Sequence, residues 1–384
     1  MNHLPEASEP EVADRCGPQA FDRPTLESFR RELDALHERT RPKVGSEDLE
    51  YITRVDRWSR IGMWTGRALV ALSPDPITFA LGVAMVTIGK QLQATEVGHA
   101  VLHGAYDQIL TGEGAAHRFN SKTWVWLAPI DEASWRDAHN IKHHQYANIV
   151  GRDPDVASGV VRCNQEVPWQ SAHRHQFANG LLGWLFFASY MNAHVTGLVE
   201  HWTKDPEDYT VLSPEDPDAG RKAFSNAVRK WKRYYFKELV LIPLLTGPFF
   251  IKTLIGNLLS EVLRDVYTAA TIWCGHIGED TAAYPKGTRA GDRANWYRMQ
   301  VEASNNFEVP LPISMLCGAL DRQIEHHLFP KLPTTRLREI APEVKAICER
   351  HGVRYRTGSW GNTLFQALRQ TWKLQADPSK TGRA

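Results

Sequence analysis

Three short histidine clusters restrict this chain more than any other feature. His99 and His103 form an H-x3-H pair. His139, His143 and His144 form an H-x3-H-H set. His326 and His327 lie in the run Gln323-Ile324-Glu325-His326-His327-Leu328-Phe329-Pro330. Seven of the sixteen histidines fall in these clusters. Side chains four apart on an α-helix lie about 40° apart around its axis, so such a pair can grip one ion. Adjacent rings point in different directions, so a pair can serve two ions. Clusters this far apart in sequence imply a site closed by tertiary structure. Seven imidazoles exceed the three or four protein ligands of zinc. They suit two iron ions, because imidazole suits iron and leaves positions for oxygen.

Composition bounds the function classes. The 384 residues allow one large domain or two ordinary ones. Lys plus Arg is 45 and Asp plus Glu is 44, a net charge of +1. Nucleic acid would need a basic excess, so no nucleic-acid partner is expected. The five cysteines, Cys16, Cys163, Cys274, Cys317 and Cys348, are odd in number and form no C-x2-C, which reads as a reduced cytoplasmic environment. The N-terminus lacks the basic-then-apolar pattern of a signal peptide. No Cys-rich ferredoxin segment or haem-binding segment is evident, so reducing equivalents are expected from another protein.

Mean hydropathy is −0.39, typical of a soluble protein, but the average hides apolar segments. A polar N-terminal segment, residues 1–55, contains one amphipathic helix, with Thr25 as its cap and Leu26, Phe29, Leu33 and Leu36 on one face. Ile61–Leu72 and Ile77–Gly89, broken by Pro74-Asp75-Pro76, read as a helical hairpin. Its second arm continues through Gln91 and Glu96 to His103, apolar at one end and ligand-bearing at the other. The competing reading is a buried helix of a soluble bundle. Leu181–Val199, free of Lys, Arg, Asp and Glu, is the clearest spanning candidate; His194 inside it reads as a core histidine. The basic run Arg229–Arg233 flanks the apolar run Leu239–Ile251. A further apolar run, Val266–Gly278, suggests a second hairpin with Lys252 and Asn257 near its tip. Glu261, Arg264 and Asp265 are costly in lipid unless they pair. Leu337, Ile340, Ala341, Val344, Ile347 and Cys348 form a helical stripe expected to pack over the site. With no repeats and no strand-rich region, the fold class is all-α. The main domain is expected over residues 56–360, with a tail over 361–384.

At these residues the sequence resembles the membrane fatty acid desaturase superfamily, and within it bacterial acyl-CoA desaturases of the linoleoyl-CoA desaturase type. Gly98 to Gly104 looks like the first histidine box, His139 to His144 with Tyr146 and Asn148 the second, and Gln323 to Pro330 the third, in its Q-x2-H-H form. The resemblance implies about four transmembrane helices in hairpins, with a cytosolic helical cap holding two irons. It implies a multi-pass membrane protein whose site and termini face the cytoplasm. It makes His99, His103, His139, His143, His144, His276, His326 and His327 metal ligands. Asn305 matches a position where the family offers a polar group. Gln323 stands where many relatives carry histidine.

The reaction implied is O2-dependent removal of two hydrogens from an unactivated CH2–CH2 pair of a fatty acyl substrate, carried as acyl-CoA. Such bonds resist side-chain acid–base chemistry, so the chemistry belongs to metal and oxygen. No catalytic residue beyond the metal ligands is expected. Glu96 and Glu325, beside ligands, are candidates to orient imidazole N–H groups. Arg229, Lys230, Lys232 and Arg233 are candidates to meet CoA phosphates. Electrons are expected from an external ferredoxin or an NAD(P)H-dependent reductase, with membrane lipid as surroundings. Hydroxylation by the same superfamily is the alternative reaction. A non-catalytic metal-binding membrane bundle is the alternative of a different class.

Overall fold

The computed structural model describes residues 21–111, 115–156, 159 and 161–381. The polar stretch through residue 20, with Cys16, lies outside them. Among the described residues the regular structure is helical apart from one two-stranded antiparallel ribbon, Leu110–Thr111 with Ala115–Ala116.

Asp22, rather than Thr25, caps the first helix. Its carboxylate accepts from the Thr25 amide at 2.8 Å. Helix Arg23–Thr40 buries Leu26, Phe29, Leu33 and Leu36 as its pattern predicts. Phe29, Leu33 and Leu36 meet Leu337, Ile340, Val344 and Ile347 of helix Thr334–Arg350, and Ile324 and Leu328 beside the third histidine cluster. Two amphipathic helices thus cover that cluster.

Helices Ser46–Leu72 and Pro76–Leu102 form the expected first hairpin. Asp75 makes the turn by accepting from the Ile77 and Thr78 amides, both at 2.9 Å. The arms touch backbone to backbone. A methyl group at Gly66 would lie 2.7 Å from the Gly82 carbonyl, and one at Gly89 would lie 2.7 Å from the Ser59 carbonyl. Among the described residues, Pro76–Leu102 is the one helix long and apolar enough to cross a membrane on its own.

The second hairpin differs from its sequence reading. It rises as Ala219–Tyr235, passes through a π-helical turn, Phe236–Leu241, and returns as the unbroken helix Phe250–His276. Lys252 sits at the tip and donates to the Ser73 carbonyl at the tip of the first hairpin. Asn257 instead lies between the arms and donates to the Glu238 carbonyl at 2.6 Å. Glu261, Arg264 and Asp265 interrupt the hydropathy but not the helix, because they are paired. Arg264 meets Glu261 at 2.5 Å and Asp265 at 2.7 Å. Lys90 lies 2.5 Å from Glu261 and 3.0 Å from Glu238, which also meets Arg67 at 2.7 Å. Three cations and three carboxylates are therefore buried together between the hairpins.

Leu181–Val199 is not one spanning helix. The chain there is broken into Gln176–Trp184, Phe187–Val195 and Leu198–Thr203. The second break falls at Gly197, whose φ of 81° no helix adopts. Each piece is short for a bilayer. The apolar composition serves another purpose: Trp184 and Phe187 pack against Ala269 and Ala270 and wall a pocket described below. At the C-terminal end, the residues expected as a tail include helix Trp360–Leu374, whose Trp360, Leu364 and Leu368 join this packing. Near the N-terminal end, helix Ser46–Leu72 runs straight through the expected 55/56 boundary.

Candidate metal centre

Two of the three histidine clusters sit on π-helical turns rather than plain α-helix. Gln93–His99 carries His99, and Arg136–His143 carries His139 and His143. A π-turn inserts an extra residue and re-aims the side chains around it. Gly98 makes the first turn possible, because a methyl group there would lie 2.0 Å from Trp126 Nε1. That indole instead donates to the Ala94 carbonyl at 3.1 Å.

The clusters converge in two groups. His99, His103, His139 and His326 place one nitrogen each within 4.8 Å of one another, and so do His143, His276 and His327. The Nε2 atoms of His276 and His327 are 3.0 Å apart. His144 lies between the groups, its ring 4.6 Å from His103 and 4.4 Å from His327. His326 and His327 thus divide between the groups, as adjacent rings should. His99 and His103 converge, with ring planes at 78°. His139 and His143 fall in different histidine groups: their rings stack at 4.8 Å and 19°, and they share a focus only on the side of Asp155. The four-residue spacing therefore serves one group in the first cluster and two groups in the second. A third set, His139, His143 and Asp155, bridges them.

The donor atoms fit a pair of metal ions. The Nε2 atoms of His103, His139, His143 and His326 and both nitrogens of His144 are buried without a hydrogen-bond partner. Burying so many lone pairs is costly unless a cation takes them. No thiol is among them, and an imidazole-dominated set suits iron. Burial and the neighbouring imidazoles hold His144, His326 and His327 well below the ordinary histidine range, which keeps them neutral and able to ligate.

The groups that orient the rings are not those the sequence suggests. Glu96 meets no imidazole: it takes Arg338 at 2.7 and 2.9 Å, Tyr51 at 2.6 Å and Thr334 at 2.7 Å. Glu325 accepts from Asn306 at 2.8 Å and Tyr355 at 2.9 Å. Burial pushes its carboxyl up to about 7, against those hydrogen bonds. Both carboxylates brace the helices that carry ligands rather than the ligands themselves. Asp153 is what holds His143, with Nδ1 to carboxylate at 2.9 Å. Burial alone would lower the His143 pKa, but Asp153 and Asp155 outweigh it and raise it to about 9. The other Asp153 oxygen accepts from the Asn148 amide at 2.7 Å, which fixes the carboxylate. Gln300 Oε1 accepts from His327 Nδ1 at 2.9 Å, and the Ala303 carbonyl faces His276 Nδ1 at 3.3 Å. Asp153 follows the second cluster by nine residues, in the acidic triplet Asp153-Pro154-Asp155; Gln300 carries no sequence signal.

Asp153→Asn keeps the shape and removes the charge. It should weaken metal binding or activity by about 10- to 100-fold, the usual effect of losing such a partner. Chelator competition on the purified protein measures this, and unchanged affinity would reduce Asp153 to a packing role.

The remaining candidates separate clearly. The Gln323 side-chain amide lies 2.7 Å from His276 Nε2, inside the second group, and its Oε1 is buried without a partner. Asn305 donates to Thr281 at 2.8 Å and also keeps a buried, unpartnered Oδ1. Lys230 is not available to a head group: it is buried, pairs with Glu132 and donates to the Trp126 carbonyl at 3.1 Å. Arg229 pairs with Asp131 at 3.2 Å, while Lys232 and Arg233 are exposed. His194 is buried as expected of a core histidine, but lies 3.5 Å from Asp155 and borders the pocket beside the site.

That pocket is apolar and runs past the histidines. One part is lined by Val161, Trp184 and Trp273, the other by Trp126, Trp135 and Leu320. Both parts share Phe187, Met191 and Ile272 together with His143, Asp155 and His276. No residue of the apolar run Leu239–Ile251 lines either part. An extended apolar molecule lying there would pass beside rings of both histidine groups.

Comparison with known proteins gives the same direction. Over 360 residues the chain is 30% identical to an NADPH-dependent stearoyl-CoA 9-desaturase of Mycobacterium tuberculosis, covering 91% of this chain and 79% of that protein. It is 25% identical over 304 residues to an sn-1 linoleoyl-lipid 6-desaturase of Synechocystis sp., covering 77% and 81%. It is 26% identical over 305 residues to an acyl-lipid 8-desaturase of Rebecca salina, covering 77% and 62%. The sequence model of the fatty acid desaturase family matches residues 74–359, a span that holds all three histidine clusters and His276, and the chain belongs to that family of oxidoreductases.

Proposed function

We propose that this protein is an O2-dependent di-iron desaturase that introduces a double bond into a fatty acyl chain carried as acyl-CoA. The observation that carries the reading is the meeting of two imidazole groups with an apolar pocket whose wall includes His143 and His276. His99, His103, His139 and His326 would hold one ion, and His143, His276 and His327 the other, with His144 between them. Bound there, iron with O2 supplies the oxidising power that an unactivated C–H bond requires. The chain's own part is positional. Asp153 and Gln300 fix two rings, and Phe187, Met191 and Ile272 keep the acyl chain straight and exclude water. Lys232 and Arg233 remain the head-group candidates.

In the same reading the two hairpins cross the membrane as four spans, with the site and both termini on the cytoplasmic side. Exposed apolar side chains near the hairpin tips, such as Leu72, Ile77, Leu245 and Ile251, support this. The paired charges between the hairpins allow helices of mixed hydropathy to sit in lipid.

Each turnover converts CH2–CH2 and O2 into CH=CH and two waters, so two electrons and two protons come from outside the substrate. The relative named for NADPH supports a nicotinamide-fed donor. Purified protein with stearoyl-CoA, O2 and NADPH alone should be inactive, and adding a separate ferredoxin and its reductase should yield the unsaturated product by mass spectrometry. Product formation with NADPH and no second protein refutes the external donor, and a hydroxylated product refutes desaturation.

A further inference from the structure

Desaturation by this chain needs electrons delivered from a second protein. A surface cleft separate from the apolar pocket lies between helix Arg23–Thr40, helix Arg293–Glu302 and the turn after the third histidine cluster. Trp296, half-buried, forms part of its wall. Its Nε1 donates to the Gln145 carbonyl at 3.2 Å, and Gln145 is bonded to His144. One helical turn beyond Trp296 is Gln300, which holds His327. The cleft is also aromatic: Trp296 lies 5.4 Å from Tyr297, Tyr297 lies 6.1 Å from Phe329, and Phe329 stacks on His37 at 5.0 Å. A surface indole is therefore joined by two short bonded routes to rings in the metal site.

The charge of the cleft points to one kind of partner. Arg293 and Lys331 line it; Arg293 is paired with Asp34 at 2.9 Å, and Arg23 takes Asp292 at 2.5 Å, which leaves Lys331 as the cleft's unpaired cation among the described residues. Lys331 is exposed and has no ion-pair partner among the described residues. Arg41, also exposed, stands on the far side of His37 near Glu38, and among the described residues its side chain bonds the neutral Gln108. Redox encounters bury little surface and rely on charge for steering. We propose that this cleft is the docking surface for an acidic one-electron carrier protein and that Trp296 is the residue through which its electrons enter. The inference rests on the proposed desaturase function. Each docked carrier is oxidised by one electron, and two dockings per turnover supply two electrons. The substrate C–H bonds supply the other two that O2 takes. Two protons from solvent complete the two waters.

The probe is a plant-type [2Fe–2S] ferredoxin, reduced by NADPH and its reductase, acting on the full-length iron-loaded protein in nanodiscs. Lys331→Glu should weaken ferredoxin binding about tenfold by biolayer interferometry and flatten its salt dependence. Trp296→Leu should leave that affinity unchanged but slow ferredoxin reoxidation about tenfold in stopped flow, with iron content and dithionite-driven turnover retained. Trp296→Phe keeps the aromatic contact and serves if the leucine variant loses iron: ferredoxin reoxidation should still slow, because the bond to Gln145 is gone. Absence of ferredoxin binding to the parent protein overturns the proposal. So do unchanged affinity in Lys331→Glu together with unchanged reoxidation in both Trp296 variants. Failure of the underlying reading is distinct: dithionite would then drive no desaturation in the parent protein, whatever the ferredoxin affinity.

Discussion

His143→Ala and His327→Ala are each expected to abolish desaturation and to strip iron from the purified protein. Both rings belong to the three-histidine group that faces the apolar pocket. Removing one leaves two imidazoles and the weaker amide of Gln323, too few to hold an ion against chelation. The loss extends beyond one ring. Asp153 would be left as a buried carboxylate without His143, and Gln300 would lose its donor in the His327 variant. Metal analysis of the parent protein should give close to two irons per chain, and both variants should fall well below that with activity at background. Fully active protein carrying stoichiometric zinc would refute the di-iron assignment.

The next largest effect is expected between the hairpins. Lys90→Met removes the cation that links Glu238 to Glu261, 3.0 and 2.5 Å away. Arg67 and Arg264 then face the two carboxylates and Asp265 alone, and the buried cluster becomes net negative. Breaking a buried ionic cluster on one side costs about 3–5 kcal/mol, because the remaining charge has neither water nor a partner. The variant should show a markedly lower unfolding temperature in detergent and a poor yield. Lys90→Met combined with Glu261→Gln restores neutrality and should recover much of the loss. An unchanged thermal midpoint in the single variant would mean that water reaches the cluster. No loss of iron is expected at temperatures where the variant stays folded, since none of these six side chains is in either histidine group.

The comparison of sequence and structure is sharpest at the histidines. Which rings meet was legible, because repeated imidazole spacing has few other uses and adjacent rings must diverge. Which rings share a group was not. An i,i+4 pair converges on one point only if the backbone between is regular and the rings are not stacked. The π-turn at Arg136–His143 and the 19° stack of His139 on His143 send these rings to different histidine groups and leave them a shared focus only at Asp155. The orienting groups show the same limit. Glu96 and Glu325 are neighbours of ligands in the chain but point into salt bridges and hydrogen bonds elsewhere, while Gln300, far from any cluster, reaches His327 because two helices cross there. Lys230 read as a surface charge because its sequence neighbours are charged, yet its helix face turns it inward onto Glu132.

By itself the sequence determined the quantities that depend on local order. These are the amphipathic stripes of Arg23–Thr40 and Thr334–Arg350, the Pro-Asp-Pro turn of the first hairpin, the mostly helical class and the seven clustered histidines as candidate ligands. Each follows from residue spacing along one element, where periodicity and turn chemistry act within a few residues. Only the tertiary structure decided how long the second hairpin's helix is, that Leu181–Val199 breaks into pocket walls, and where each carboxylate ends. Those outcomes turn on pairing between distant segments. Glu261 and Arg264 remain helical and buried because Lys90, Glu238 and each other neutralise them, and a buried charge is stable only once its partner, however far away in the chain, has been brought within contact distance.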